Sequence, residues 1–391
     1  MGDARVAAGE ARALDALRPA TKLGFGCMRL PIVGEEQGKV DLPTFERMVD
    51  EFLDRGFTYF DTAWMYHDHM SEEAVGKALV ARHPRDSFTV ATKMPLSAMA
   101  DADEAEQARI FEEQLRKLGT DHVDYYLAHN VNVNTYETAK RLHTFEFIAE
   151  QKRAGRVRWM GFSFHDTADM LDRVLTEHPE VDFVQLQINY LDWNSATIQS
   201  GKCYDVACRH GKPVVVMEPI KGGTLANLPD DAARELRLAA PGSSPAELAI
   251  RYAASLDNVM CVLSGMSTPE QLDENTRFMG DFKALGDRER GALVRAARIM
   301  NAQQAIPCTS CRYCTRGCPK GIDIPTYFAA YNAYERGRAQ GHERMYYQLI
   351  TKAQPGPADC IRCGRCEAAC PQHILVPDML AEVEKTLGAE A

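Results

Sequence analysis

Short apolar runs alternate with longer amphipathic stretches from residue 21 to about residue 285. The short runs are typical of buried strands, whereas apolar residues that recur every three or four positions are typical of helices. Helical stretches end at Gly56, Gly119, Gly155 and Gly211, as expected where a helix closes in left-handed backbone. The predicted strands cover residues 22–26, 57–61, 88–93, 123–129, 157–163, 182–188, 213–218 and 258–265.

Eight strand–helix units in roughly 265 residues predict an α/β fold, namely a (β/α)8 TIM barrel over residues 21–300. Residues 1–20 are assigned to an N-terminal tail. A doubly wound open sheet is the alternative. The stretch from Gly24 to Arg29 resembles a GxGxxG fingerprint but lacks the third glycine, so it supports that alternative only weakly.

The distribution of cysteine predicts a second domain over residues 301–391. The chain has 391 residues and 12 cysteines, and eight of these cysteines fall between Cys308 and Cys370. Disulfide scaffolds occur mainly in small secreted chains, which this chain does not resemble in length or composition. We therefore expect the C-terminal part to use its thiols for metal binding.

The cysteine-rich part contains the bacterial ferredoxin run twice: three cysteines separated by two residues each, then a fourth that precedes proline. In such runs the first three thiolates hold one cluster and the fourth ligates the other. A pair of zinc sites is the alternative, although zinc sites normally combine two CxxC pairs. The segment between the runs has a helical pattern, which predicts a small, mostly helical ferredoxin-like domain. We expect two [4Fe–4S] clusters, one on Cys308, Cys311, Cys314 and Cys370 and the other on Cys360, Cys363, Cys366 and Cys318.

Charge and hydropathy exclude several classes of partner. The formal net charge of −10 argues against a nucleic-acid or anionic-membrane binder. The chain contains no run of about 18 apolar residues that would predict a membrane span. The first 20 residues lack the apolar region of a signal peptide. We expect a reducing cytoplasm, which oxygen-sensitive clusters require. The sequence carries no signal for an oligomeric state.

Polar side chains stand at the carboxyl ends of the predicted strands, where active sites of TIM barrels lie. Asp61 ends the second strand, and Tyr66 follows it by five residues. Lys93 ends the third strand and His129 ends the fourth. A buried lysine needs a partner, and Asp61 supplies one. We expect the field of Lys93 to lower the pKa of Tyr66, so that the phenol exchanges protons with a substrate oxygen to which His129 hydrogen-bonds.

The loops after the seventh and eighth strands predict a phosphate site. Barrels commonly bind phosphate there through glycine-rich backbone and a helix N-terminus. We therefore expect a nucleotide over the barrel mouth. The candidate contacts are Lys221, Gly222, Ser264, Gly265, Met266 and Ser267.

Five segments in this order resemble the aldo-keto reductase family, and together they span most of residues 20–285. The resemblance implies that Asp61, Tyr66, Lys93 and His129 form the catalytic tetrad, with Tyr66 as the general acid/base. The whole chain is similar to the ferredoxin-fused branch of that family. The segments are FDTAWMYHDHMSEEAVGKAL (60–79), VATKMP (90–95), DYYLAHN (124–130), GFSF (161–164) and GMSTPEQLDEN (265–275).

The same resemblance implies how the nucleotide is held. Ser163 and Gln185 would bind the nicotinamide carboxamide. Met217 stands where the family has an aromatic ring that stacks on the nicotinamide, and Gly265 and Gln271 stand where NADPH-using members have Lys and Arg. The loss of those two residues favours NAD, a weakly bound NAD(P) or a different nucleotide such as a flavin. The remaining expected contacts are Gly26 and Asn275.

These features predict an aldo-keto reductase-type oxidoreductase that interconverts a small carbonyl and its alcohol. Hydride transfer moves two electrons, whereas each cluster normally carries one, so the clusters serve either structure or electron transfer to a redox partner protein. The alternatives are a flavin-using barrel and a non-catalytic nucleotide-binding sensor or electron-transfer subunit.

Overall fold

The computed structural model describes most of the chain. The predicted cluster ligand Cys311 and most of the predicted N-terminal tail lie outside the described residues. The described residues are 17–34, 36, 38–195, 198–302, 305–308, 310, 312–336, 342–370 and 374–388.

Eight parallel strands pair in sequence order, and β1 also pairs with β8, so the sheet closes into a barrel. This closure confirms the predicted TIM barrel. The open-sheet alternative is wrong, because a doubly wound sheet leaves two edge strands unpaired. Each strand overlaps one predicted run. The strands are β1 (Leu23–Gly26), β2 (Tyr59–Asp61), β3 (Thr89–Met94), β4 (Val123–Val131), β5 (Val157–Phe164), β6 (Phe183–Gln187), β7 (Val214–Met217) and β8 (Val259–Ser264).

Several helices of the barrel begin at side-chain caps, and four helices end at or just before a predicted glycine. The carboxylate of Asp103 accepts from the backbone N–H of Glu106 at the start of α3, and Gly119 ends that helix with a φ of 70°. The helices are α1 (Leu42–Asp54), α2 (Ser71–Val75), α3 (Glu104–Leu118), α4 (Val133–Arg141), α5 (Thr144–Arg153), α6 (Ala168–Glu177), α7 (Ser200–Arg209), α8 (Asp230–Ala239), α9 (Pro245–Ala254), α10 (Pro269–Gly280) and α11 (Asp287–Ala302).

Two stretches with a continuous helical pattern are interrupted. After α2, residues Gly76–Val80 form a wider π-helical turn, and a Cβ atom on Gly76 would lie 2.3 Å from the carbonyl oxygen of Lys117. The π-helical turn therefore coincides with close packing of Gly76 against α3. The periodicity of apolar residues in the sequence does not predict such a turn. His143, with a φ of 51°, separates α4 from α5.

The C-terminal domain is helical and has its own apolar core, which includes Ile322, Tyr327, Phe328 and Leu380, each at most 1% exposed. This confirms the predicted mostly helical domain. Among the described residues no helix is both long and apolar enough to cross a membrane. The helices are α12 (Tyr313–Arg316), α13 (Ile324–Arg336), α14 (His342–Ala353), α15 (Arg365–Ala368) and α16 (Val376–Leu387).

Candidate active site

A buried ion pair joins the carboxyl ends of β2 and β3. Lys93 Nζ donates to Asp61 Oδ1 at 2.6 Å and to the carbonyl oxygen of Thr62 at 2.7 Å. The Lys93 side chain is 1% exposed and the Asp61 side chain 3%. Burial lowers the pKa of Lys93, but the charge of Asp61 and hydrogen bonds to Asp61 and Tyr66 raise it above its usual range overall. The lysine therefore stays cationic beside the phenol.

Tyr66 and His129 face each other in front of this pair. Lys93 Nζ lies 5.1 Å from the centroid of the Tyr66 ring, and the Tyr66 and His129 rings meet edge to face with centroids 5.9 Å apart. Burial raises the pKa of Tyr66, and the opposing effect of Lys93 does not cancel that rise. The expectation of a lowered tyrosine pKa is therefore wrong in its net direction. The phenol is neutral at neutral pH and is a proton donor.

His129 is held neutral as well. Burial, followed by the positive charge of Lys93, places the pKa of His129 well below its usual range. A neutral imidazole keeps one N–H group, which can donate a hydrogen bond to a substrate oxygen. The site thus contains two neutral donors and one permanent cation.

The site opens on a cavity of about 280 Å³ at the barrel mouth. Asp61, Tyr66 and His129 line the cavity, and Lys93 lies behind them. All four residues of the predicted tetrad are therefore brought together at one point. The other lining residues are Gly26, Met28, Arg29, Met65, Ser97, Asn130, Ser163, His165, Gln185, Met217, Glu218, Leu263, Gly265 and Met345.

Ser163 and Gln185 form one wall of the cavity with hydrogen-bonding capacity to spare. Ser163 Oγ accepts from the backbone N–H of Asn130 at 2.8 Å, which leaves its hydroxyl proton to donate. Gln185 Nε2 donates to Asp61 Oδ2 at 3.4 Å, while Gln185 Oε1 is buried without a hydrogen-bond partner among the described residues. A buried amide oxygen without a partner is costly. One donor and one acceptor on the same wall fit the carbonyl and N–H groups of a nicotinamide carboxamide.

Two glycines let backbone approach closely beside this wall. A Cβ atom on Gly26 would lie 3.3 Å from the backbone carbonyl of Ser264, and one on Gly265 would lie 3.2 Å from Arg29 Cβ. Met217 also lines the cavity. A side chain at Gly26 or Gly265 would therefore crowd the cavity lining.

The loop after β8 is held by internal hydrogen bonds. Asn275 Nδ2 donates to Ser264 Oγ at 3.0 Å, and the backbone N–H of Ser267 donates to Gln271 Oε1 at 2.7 Å. Met266 is fully buried. Gly265 therefore lines the cavity, while Ser264, Met266 and Asn275 lie buried behind it.

Lys221 lies in a buried network at the boundary between the domains. Its Nζ is 3.0 Å from Asp192 Oδ2 and 3.5 Å from Glu343 Oε1 on α14, and its side chain is 4% exposed. Gly222 follows it in left-handed backbone, with a φ of 56°. The structure thus places this predicted phosphate contact beside the C-terminal domain rather than on the cavity wall.

Several lining residues were not predicted from the sequence, and Arg29 and Met345 are the two most informative. Arg29 Nη1 lies 3.6 Å from Glu218 Oε1 at the cavity rim. Arg29 occupies the last position of the incomplete glycine motif, and its positive charge was the one feature of the sequence that could have marked it as a site residue. Met345 comes from α14 in the C-terminal domain. No pattern within the barrel sequence points to a residue so distant along the chain.

The described residues of the two cysteine runs share left-handed backbone at two equivalent positions. The third and fifth positions of each run are left-handed: Ser310 and Arg312 have φ of 55° and 62°, and Arg362 and Gly364 have φ of 54° and 75°. The short helices that follow, α12 and α15, contact each other. The described parts of the two runs therefore resemble each other in backbone, and thiols of both pack against one apolar core.

The cysteines of the two runs differ in exposure within the described part of the chain. Cys314 and Cys366 are buried, and Cys363 is exposed. The partly buried thiols that pack against the core of the domain are Cys308, Cys318, Cys360 and Cys370.

Comparisons with known proteins match the barrel and the C-terminal part of the chain to different families. The model of the aldo/keto reductase family matches residues 22–293, and that of a 4Fe-4S dicluster domain matches residues 307–375. An aldo-keto reductase of Mycobacterium avium (strain 104) is 30% identical over 249 residues, which cover 63% of this chain and 80% of that protein. L-galactose dehydrogenase of Arabidopsis thaliana is 27% identical over 292 residues, which cover 70% and 89% of the two chains.

Solved structures show the same likeness in the barrel. An aldo-keto reductase of Bacillus halodurans in its holo form matches with a TM-score of 0.55 and 27% identity, covering 70% of this chain and 91% of that one. An aldo-keto reductase of Klebsiella pneumoniae in complex with NADPH matches with a TM-score of 0.54 over 70% and 90% of the two chains. At 23% identity, the second match shows the fold alone.

Proposed function

The chain belongs to the aldo/keto reductase family and carries a 4Fe-4S dicluster domain, and we propose that it reduces a small aldehyde or ketone to the alcohol with a nicotinamide nucleotide. The observation that carries this proposal is the convergence of Asp61, Tyr66, Lys93 and His129 on a cavity whose neighbouring wall offers one free donor and one free acceptor. The reverse oxidation uses the same groups.

Tyr66 acts as the proton donor in the reduction. The nucleotide supplies a hydride to the carbonyl carbon when bound, and the Tyr66 hydroxyl gives its proton to the carbonyl oxygen. Lys93 stabilises the phenolate that remains, because its ammonium lies beside the Tyr66 ring and hydrogen-bonds to the hydroxyl. The phenolate then regains its proton from solvent, which balances the reaction.

His129 and Asp61 prepare this transfer without exchanging a proton with the substrate. The neutral His129 ring orients the carbonyl oxygen by an N–H hydrogen bond, as its low pKa permits. Asp61 holds Lys93 in place through a 2.6 Å contact. Ser163 and Gln185 would hold the nicotinamide carboxamide in the orientation that presents the ring to the substrate.

The reduction should be independent of pH through the neutral range. Burial raises the pKa of Tyr66, so kcat/KM for reduction should stay constant and fall only as the pH rises above about 10. Alcohol oxidation needs the phenolate, so it should increase over the same alkaline range. Initial rates in both directions, with the cluster absorbance recorded at each pH, test this. An inflection in reduction near pH 6.5 would assign proton transfer to a histidine instead.

The nucleotide is proposed to be NADH. Gly265 and Gln271 stand where NADPH-using members of the family carry the basic residues for the 2′-phosphate, and Gln271 is exposed on α10. Gln271→Arg should therefore improve kcat/KM for NADPH about tenfold relative to NADH, since a hydrogen bond to a charged group contributes about 1.5–3 kcal/mol. Gln271→Met is the matched control, because it keeps the side-chain length without the charge. An unchanged ratio in the arginine variant would contradict this placement of the phosphate.

The cysteines are proposed to bind two clusters in a crossed manner, in which each run supplies its fourth cysteine to the other cluster. One cluster is ligated by Cys308, Cys311, Cys314 and Cys370, and the other by Cys360, Cys363, Cys366 and Cys318. The clusters require a reducing compartment such as the cytoplasm. They serve either to transfer electrons to a redox partner protein or to stabilise the structure of the domain.

The decisive experiment is anaerobic purification followed by iron analysis, a visible spectrum and turnover with NADH, NADPH and aldehyde acceptors. We expect about eight irons per chain and stoichiometric NADH oxidation. Flavin absorbance in the purified protein would contradict the nicotinamide assignment. Nucleotide binding without turnover of any carbonyl would favour a sensor over an enzyme.

A further inference from the structure

One helix of the C-terminal domain closes the mouth of the barrel. α14 lies between the two cysteine runs in the sequence, and its Met345 lines the catalytic cavity together with Tyr66 and His129. The cavity of about 280 Å³ therefore has a wall that the barrel does not supply.

Buried polar contacts hold this helix on the barrel. Tyr346 is 5% exposed, and its hydroxyl donates to Gln187 Oε1 at 3.5 Å. Glu343, also 5% exposed, places Oε1 3.5 Å from Lys221 Nζ. Residues 343 and 346 are three apart, so they share one helix face. Met345 is thus next to two anchored positions.

A neighbouring side of α14 packs into the core of the C-terminal domain. Tyr347 is 1% exposed, its ring centroid lies 5.8 Å from that of Tyr327, and its hydroxyl donates to Glu384. The position of Met345 therefore depends on the packing of the domain that carries the cysteine runs.

The wall that α14 contributes to the cavity is apolar, because Met345 is the α14 residue that lines it. Polar side chains such as Arg29, Asn130 and Glu218 also line the cavity, together with four methionines. Methionine side chains adapt their shape and make favourable contacts with aromatic rings. A sugar hydroxyl that faced the Met345 thioether would lack a strong hydrogen-bond partner, which carries a desolvation penalty. The methionines that line the cavity are Met28, Met65, Met217 and Met345.

We propose that Met345 is a specificity-determining residue and that the substrate is a compact carbonyl compound with an apolar, aromatic body. The proposal rests on the function proposed above. It assigns the C-terminal domain a direct part in substrate selection, since Met345 belongs to that domain. Met345→Ala opens the cavity on this side and admits a larger ring.

The test compares benzaldehyde with 2-naphthaldehyde, and both with glyceraldehyde as a polar aldehyde. Met345→Ala should raise the ratio of kcat/KM for naphthaldehyde over benzaldehyde about tenfold or more, the scale of discrimination that one or more methylene groups provide. Gln348→Ala is the matched control on the same helix, because Gln348 is exposed. Met379→Ala removes a methionine that packs on the core of the C-terminal domain. Both control variants should keep the wild-type ratio within about twofold.

Binding of unreactive analogues supplies a second readout. Titration calorimetry with benzamide and 2-naphthamide should show the same shift in the ratio of dissociation constants for Met345→Ala. A ratio that stays within twofold in both assays, with normal cluster absorbance, overturns the proposal, and wild-type preference for glyceraldehyde overturns the substrate class. If the protein binds the amides with the expected shift but reduces no aldehyde, the wall stands and the proposed reaction falls. If it neither binds nor reduces them, both fall.

Discussion

Replacing Tyr66 with phenylalanine should lower kcat for carbonyl reduction about 10²–10⁴-fold, the usual contribution of a positioned general acid. The variant loses one hydroxyl and keeps the ring that meets His129 edge to face, so the cavity retains its shape. The ammonium of Lys93 remains, but it carries no proton that reaches the carbonyl oxygen in the same position. Nucleotide binding and cluster absorbance should therefore match those of the wild type.

Tyr252→Phe provides the matched control for this loss. Tyr252 is half-buried and packs edge to face with Tyr190 and Trp193, away from the residues that line the catalytic cavity. The control should retain kcat within about twofold. If Tyr66→Phe kept more than a tenth of the wild-type rate, another group would supply the proton and the proposed role of Tyr66 would be wrong.

The barrel was predictable because its signals are local. Strand and helix periods differ, and each strand carries its polar residue at one end, so the order of Asp61, Lys93 and His129 along the chain was enough to place them at one rim. The direction of the Tyr66 pKa shift was not predictable. Burial of the phenol raises the pKa and the nearby charge of Lys93 lowers it, and the sequence does not show which effect is larger. That balance is a property of packing rather than of sequence order.

The contacts between the two domains could not be predicted from the sequence for the same reason. Lys221 reads as a phosphate contact in a glycine-rich loop, yet its ammonium is paired with Asp192 and Glu343. Met345 lies in a stretch with an ordinary helical pattern, and nothing in that pattern indicates that its barrel-facing side meets a cavity. Both features arise from docking of two domains, which local periodicity does not encode.

A wall supplied by the C-terminal domain also changes the question of why an aldo/keto reductase barrel carries a 4Fe-4S dicluster domain. The α14 helix packs on both the barrel and the core beneath the cysteine runs. The clusters can therefore affect the reaction by holding this helix in place, in addition to any role in electron transfer. Structure and redox function are not exclusive in such an arrangement.

Lys93→Met should be the most destabilising of the variants considered, at about 3–5 kcal/mol of unfolding free energy. It leaves the carboxylate of Asp61 almost fully buried without its cation, and methionine fills a similar volume. Asp61→Asn should cost less than this, because Lys93 keeps its 2.7 Å bond to the carbonyl of Thr62. The double variant should recover much of the loss, since two neutral side chains remove the unpaired charge. Lys93→Met and the double variant should lack carbonyl reduction, because neither keeps a cation beside Tyr66, whereas Asp61→Asn should retain part of the rate because Lys93 is still present.

The surface pair Lys77–Glu73 isolates the effect of burial in this cycle. Its N–O distance of 2.6 Å equals that of Lys93–Asp61, but its side chains are 57% and 41% exposed. Lys77→Met should therefore change stability by no more than about 1 kcal/mol. Urea unfolding followed by tryptophan fluorescence reports on the barrel, since all three tryptophans lie within it. A loss at Lys93 no larger than the loss at Lys77 would mean that water reaches the pair, and the ammonium would then lack the low-dielectric setting through which it stabilises the phenolate of Tyr66.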